Sequence, residues 1–168
     1  MQHKGRIILY LCIICFFLTG CARTYHGTDE LTEKAREEFP ISEADTTEVR
    51  YAGMIGKGDK AIAWFISGSE YQYHCYLPME IGIKGNAAEY TFIRTLKPMD
   101  RGLDIAVLQW DRGYCFLINN SECSCVRITD NSGTHEVAIE KDEYPFVFYN
   151  ELLPSEYYFL DKNGNVIH

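Results

Sequence analysis

From about Val49 onward, aromatic and β-branched residues arrive in short runs separated by clusters of Gly, Asn, Asp and Pro. Nothing else in the chain limits its fold so strongly, because such residues suit a pleated, half-buried surface and such clusters suit tight turns. The runs predict strands over 48–55, 61–67, 71–83, 88–95, 103–110, 114–118, 123–129, 135–140, 146–150 and 157–161. Between them stand turn signals such as Gly56-Lys57-Gly58-Asp59, Asp111-Arg112-Gly113, Asn119-Asn120-Ser121 and Asp130-Asn131-Ser132-Gly133. Short links make sequential strands antiparallel neighbours, and no helical pattern intervenes. The expected fold is therefore all-β, an antiparallel β-sandwich or barrel-like domain over 48–168. Alternation places Ile62, Trp64, Ile66, Ile105, Val107, Phe116, Val126, Val137, Phe146 and Phe159 in its core.

The amino terminus carries a different signal. Lys4 and Arg6 precede an apolar run from Ile7 to Leu18, the charged and apolar regions of a secretion signal. The run is shorter than the about 20 residues that span a bilayer. It closes on Leu18-Thr19-Gly20-Cys21, which resembles the lipobox of bacterial lipoproteins. The resemblance covers the first 21 residues alone. It implies a signal peptide over 1–20, acylation of the Cys21 thiol by palmitate-type chains, and a mature protein held at the cell membrane, on its extracytoplasmic side or in a periplasm.

Residues 21–47 are expected to form an acidic tether with one short helix. Ala22 to Gly27 reads as flexible spacer. Thr28 is the expected cap of a helix over 28–39, with Asp29 and Glu30 in the first turn, Leu31, Ala35 and Phe39 on one stripe, and Pro40 as the stop. Such a helix of twelve residues is marginal without tertiary packing.

The chain has 16 Lys and Arg against 24 Asp and Glu, a formal charge of −8. Loss of 1–20 would remove Lys4 and Arg6 and leave −10. That charge disfavours nucleic acid and anionic lipid surfaces, so attachment to the membrane must come from the acyl chains.

Among candidate motifs, the Gly53–Lys60 stretch resembles a phosphate-cradling loop but lacks Ser or Thr after its Gly-Lys and reads as a hairpin. Asp161-Lys162-Asn163-Gly164-Asn165 begins like a calcium loop, yet its glycine is misplaced and the acidic twelfth position falls beyond His168. No metal or other cofactor is expected. His74 and Cys75 are adjacent, so in a strand they point to opposite faces and cannot form a catalytic pair. Cys75 shares a face with Tyr71, Tyr73 and Leu77 and is expected in the core. Cys75, Cys115, Cys123 and Cys125 are an even number in an oxidising compartment, which ranks disulfides first, free thiols second and zinc third. Treating the two runs around Asn119-Asn120-Ser121 as a hairpin sets Cys115 opposite Cys125, the first-ranked pair, with Cys115 to Cys123 next.

A two-layer sandwich has one inner face per sheet, whereas aromatics here occupy both faces of several strands. Tyr73, Tyr76, Trp110 and Tyr149 are thus expected to be partly exposed contact residues. The favoured functional reading is an anchored binding or accessory module whose partner is an envelope protein, a peptide added along a strand edge, or a carbohydrate stacked on exposed rings. The competing reading, an exported hydrolase, requires His74 or His135 beside a carboxylate or hydroxyl in a concave site.

Overall fold

The computed structural model describes residues 23–39, 48–68, 75–85 and 88–167, without the side chains of 100 and 101. The Leu18–Cys21 signal, Tyr71, Tyr73 and His74 lie outside the described residues. Among the described residues are twelve strands and one helix: β1 (Thr24–His26), α1 (Gly27–Glu38), β2 (Val49–Lys57), β3 (Lys60–Ser67), β4 (Cys75–Lys84), β5 (Glu89–Thr95), β6 (Asp100–Gly102), β7 (Ile105–Trp110), β8 (Gly113–Ile118), β9 (Cys125–Asp130), β10 (Gly133–Ala138), β11 (Phe146–Asn150) and β12 (Glu156–Leu160).

All pairings are antiparallel. They form a five-stranded sheet ordered β1-β5-β4-β3-β2, a four-stranded sheet ordered β11-β8-β7-β6 and a three-stranded sheet ordered β10-β9-β12. The fold is an all-β, sandwich-like architecture, but it has four layers. Helix α1 packs on one face of the five-stranded sheet, burying Leu31, Ala35 and Phe39 against Ala61, Ala63, Phe65, Met79 and Ile81. The opposite face meets the four-stranded sheet through Ile62, Trp64, Ile66, Ala106, Leu108, Trp110 and Leu117. That sheet's other face meets the three-stranded sheet through Ile105, Val107, Phe116, Ile118, Val126 and Ile128. Because side chains alternate across a strand, β3 is sandwiched on both sides, and every residue from Ala61 to Ser67 is buried.

The expected core residues are all found at these interfaces, with Val137, Phe146 and Phe159 partly buried at the third. The extra layers also account for the surplus of aromatics: a stacked sheet has two inner faces, so rings on both sides of a strand find cover.

Two expectations are corrected. The stretch expected as flexible spacer is paired from Thr24 onward: Thr24, Tyr25 and His26 pair with Thr91, Tyr90 and Glu89 of β5, and Tyr25 joins the first core. Burial of one apolar stripe supplies the tertiary support that a short helix lacks alone. Nor does Thr28 cap the helix. His26 is the cap residue, and its backbone N–H donates to Glu30 Oε2 at 2.8 Å. The expected 28–39 helix thus begins at Gly27, whose positive φ of 74° turns the chain out of β1. Residues 40–47 of the expected tether lie outside the described residues.

The second correction concerns the cysteines. Both edges of β8 are occupied, by β7 and β11, so β9 leaves for the next sheet and the expected hairpin does not form. Cys115 stands opposite Tyr149 and Leu108, and Cys125 opposite Ala138 and Leu160. All four described cysteines are free thiols, and Cys75 is exposed rather than in the core. Burial pushes the Cys115 thiol up to about 12 and raises Cys123 and Cys125. Since the thiolate is the reactive form, alkylation of the native protein at pH 8 should modify Cys75 within minutes. Cys115 and Cys123 should react only in denaturant, and mass mapping that finds Cys115 labelled as fast as Cys75 would contradict this packing.

Candidate functional site

A heavily charged concavity lies at one end of the interface between the five- and four-stranded sheets. It is a cavity of about 300 Å³ lined by Lys57, Lys60, Glu80, Arg94, Trp110 and Asp111. Four local devices bring these residues together. The β2–β3 turn at Gly58-Asp59 presents Lys57 and Lys60 as a directly opposed pair. Glu80 is carried in the middle of β4, within the otherwise apolar stretch Leu77-Pro78-Met79-Glu80-Ile81.

A bulge in β5 then sets its partner. Ile81 pairs with Phe92, but Glu80 pairs with Arg94, so Ile93 is the extra residue. An uninterrupted ladder would have placed Ile93 across from Glu80; the inserted residue substitutes a guanidinium, the kind of re-aiming that bulges produce. The β7–β8 turn contributes Trp110 and Asp111, the latter in the left-handed region at φ 50°.

Glu80 is only 4% exposed. Arg94 Nε donates to its Oε2 at 2.7 Å, Trp110 Nε1 donates to its Oε1 at 3.3 Å, and Lys60 Nζ stands 3.6 Å from Oε1. Desolvation pushes its pKa up, but the bonds from Arg94 and Trp110, with the charges of Arg94 and Lys60, outweigh it and hold the carboxyl below its usual range. Alongside, Lys57 Nζ donates to Asp111 Oδ2 at 2.7 Å and to Tyr149 Oη at 3.4 Å, and stands 5.2 Å from the Tyr149 ring centroid. The Lys57–Asp111 bond lowers the carboxyl's pKa and raises that of the amine.

A group whose folded pKa is depressed stabilises the protein above its unfolded pKa, and that contribution is lost as pH falls through the folded value. Glu80→Gln should therefore cost about 1–2 kcal/mol at pH 7. The gap from the parent protein should narrow on acidification below the ordinary value of 4.5. Thermal unfolding of both proteins between pH 3 and 7 checks this, and a gap that widens toward acid would contradict the ion-pair geometry.

The aromatic contact residues expected from sequence are distributed otherwise. Trp110 and Tyr149 meet edge to face, with ring centroids 5.6 Å apart, but Trp110 is 7% exposed and Tyr149 half-buried. Tyr76 is buried and donates through its hydroxyl to Asp104 Oδ1 at 2.9 Å. No coplanar exposed strip of Tyr76, Trp110 and Tyr149 forms. Among the described aromatic rings, it is Tyr158, 43% exposed on the outer face of the three-stranded sheet, that faces solvent. His135 is exposed and its Nε2 lies 3.1 Å from Asn150 Oδ1, an amide rather than a carboxylate or hydroxyl.

A second, larger cavity of about 620 Å³ is lined by Ser121, Glu122, Ser124, Ile139, Lys141, Tyr144, Asp161 and Lys162. Its polar groups are partly committed to the fold. Tyr144 Oη donates to the Cys123 carbonyl, and Asp161 Oδ1 accepts from the backbone N–H of Asn163 and Asn165, the hairpin-type turn expected there. Among the described residues no group of three or more His, Cys, Asp or Glu side chains could hold a metal ion. Glu80, Lys60 and Arg94 escaped the sequence reading; the available signal was one carboxylate inside an apolar strand.

Compared with family models, with curated proteins and with solved structures, the chain matches none of them.

Proposed function

We propose that this protein is a membrane-anchored extracytoplasmic lipoprotein whose β domain is a binding or accessory module. The observation that carries this reading is Leu18-Thr19-Gly20-Cys21 at the end of a charged and apolar leader. Two or three acyl chains hold a protein stably at a bilayer where one is marginal. Among the described residues no helix is long and apolar enough to cross a membrane. The early start of β1 bears on how such a module would be displayed. With Thr24 already paired in the sheet, three residue steps separate it from Cys21, at most about 10 Å of extended chain. The domain would therefore ride against the membrane surface instead of at the end of a long spacer. Beyond it, the stacked sheets give a rigid frame that displays Tyr158 and a recessed charged cleft.

Fractionation of a bacterium expressing the full chain tests the anchor. The parent protein should sediment with membranes and carry a diacylglyceryl-modified Cys21 by mass spectrometry, and Cys21→Ala should be released or remain unprocessed. An unmodified terminus beyond Cys21 in the mature protein would end the lipoprotein reading. Capture of envelope components from detergent extracts by the parent chain, compared with Tyr158→Ala, tests the module itself.

A further inference from the structure

We infer that the cleft between Lys57, Lys60 and Arg94 is a binding site for a small oxyanion, a phosphate or carboxylate group presented by a soluble ligand. Its lining carries three cations against two carboxylates, a local positive excess in a chain of net charge −8. Neither carboxylate faces a ligand unopposed. Glu80 is buried with both oxygens engaged by Arg94, Trp110 and Lys60, and Asp111 is bonded to Lys57.

The cations, in contrast, are incompletely used. Arg94 binds Glu80 through Nε while its side chain is 62% exposed, and Lys60, 51% exposed, stands 3.6 Å from Glu80. A guanidinium fixed by Nε offers its remaining N–H groups in a planar fork suited to oxyanions, and a nearby ammonium adds a second charge. Low-dielectric walls concentrate such a field. Trp110 and the flanking strands supply those walls. An isolated structural ion pair requires one cation; this carboxylate has two, with an indole N–H besides, at the rim of a cavity of about 300 Å³, ample for a phosphate or a short carboxylic acid.

This inference rests on the reading of the domain as a binding module and is independent of the lipid anchor. Its test uses the full ¹⁵N-labelled chain in detergent solution. Sodium phosphate or sodium acetate is exchanged for sodium chloride at constant ionic strength, and the two indole N–H signals are followed. A saturable shift of Trp110, with Trp64 unmoved, is expected for at least one of the two anions. Arg94→Gln and Lys60→Gln should each weaken the response about tenfold, equivalent to roughly 1.4 kcal/mol. Absence of a saturable shift, or equal affinity in both variants and the parent, would overturn the site. Should Arg94→Gln unfold the domain, Lys60→Gln, at an exposed position, carries the comparison. Membrane fractionation and envelope capture are unaffected by either result, so failure here is distinguishable from failure of the module reading.

Discussion

Replacing Phe116 by alanine is expected to remove about 3–5 kcal/mol of stability, a large part of the roughly 5–15 kcal/mol that holds a typical domain folded. Phe116 is fully buried and sits at the centre of the contact between the four- and three-stranded sheets. Its ring stacks on Phe148 with centroids 4.7 Å apart, and meets Tyr157 at 5.4 Å and Phe159 at 6.4 Å edge to face. Two of those partners belong to β12 of the neighbouring sheet and one to β11 of its own. Truncation would open a cavity that strands fixed by their ladders cannot close, and aromatic pairing energy is lost besides. Guanidinium denaturation followed by near-ultraviolet circular dichroism measures the loss. Tyr158→Ala, on the outer face of the same sheet, should cost under about 1 kcal/mol. If Phe116→Ala fell within that range as well, the third layer would not be packed as described.

The other large effect is expected from the smallest substitution. A Cβ on Gly113 would stand 1.9 Å from the Asn150 carbonyl oxygen and 2.8 Å from the Tyr149 ring. The first obstacle is backbone of β11, which cannot rotate away, so β8 and β11 must separate where they pair at Tyr149–Cys115 and Asn150–Tyr114. Gly113→Ala should therefore cost at least about 3 kcal/mol, by overpacking. Because Tyr149 also contacts Trp110 and Lys57, the same substitution should displace the Trp110 indole signal and weaken the charged cleft. Gly102→Ala is the matching control: its added Cβ meets nothing within 4 Å, and its unfolding midpoint should be nearly unchanged. Equal stability of the two variants would refute the close approach of β11 to Gly113.

The part of the fold encoded locally was readable from residue order. Strand runs separated by turn clusters foretold ten strands close to their observed bounds, because alternation and turn chemistry are properties of neighbouring residues. Two short strands, β1 and β6, escaped. At three residues each they carry too little pattern to stand out, and their existence depends on a sheet edge supplied by β5 and β7. The cleft was half readable. Trp110 stood out as a candidate, but Glu80, Arg94 and Lys60 looked like ordinary charges among many.

Residue order by itself determined the all-β class, the helix position and most of the hairpin turns, since each is set by chemistry within a few residues. Tertiary structure alone decided which sheet each strand joined. The sequence of β8, the Asn119-Asn120-Ser121 turn and β9 looks like a hairpin, and only the occupation of both β8 edges by β7 and β11 sends β9 into another layer. That choice separated Cys115 from Cys125, while the packing of α1 and the four-stranded sheet on opposite sides of the five-stranded one buried both faces of β3 and turned the supposed surface rings of Tyr76 and Trp110 inward. It likewise took a one-residue bulge in a remote pairing to bring Arg94 across from Glu80. The physical reason is common to the cysteines and the cleft: strand partners compete for edges across the whole chain, and a register shift of one residue exchanges every facing side chain.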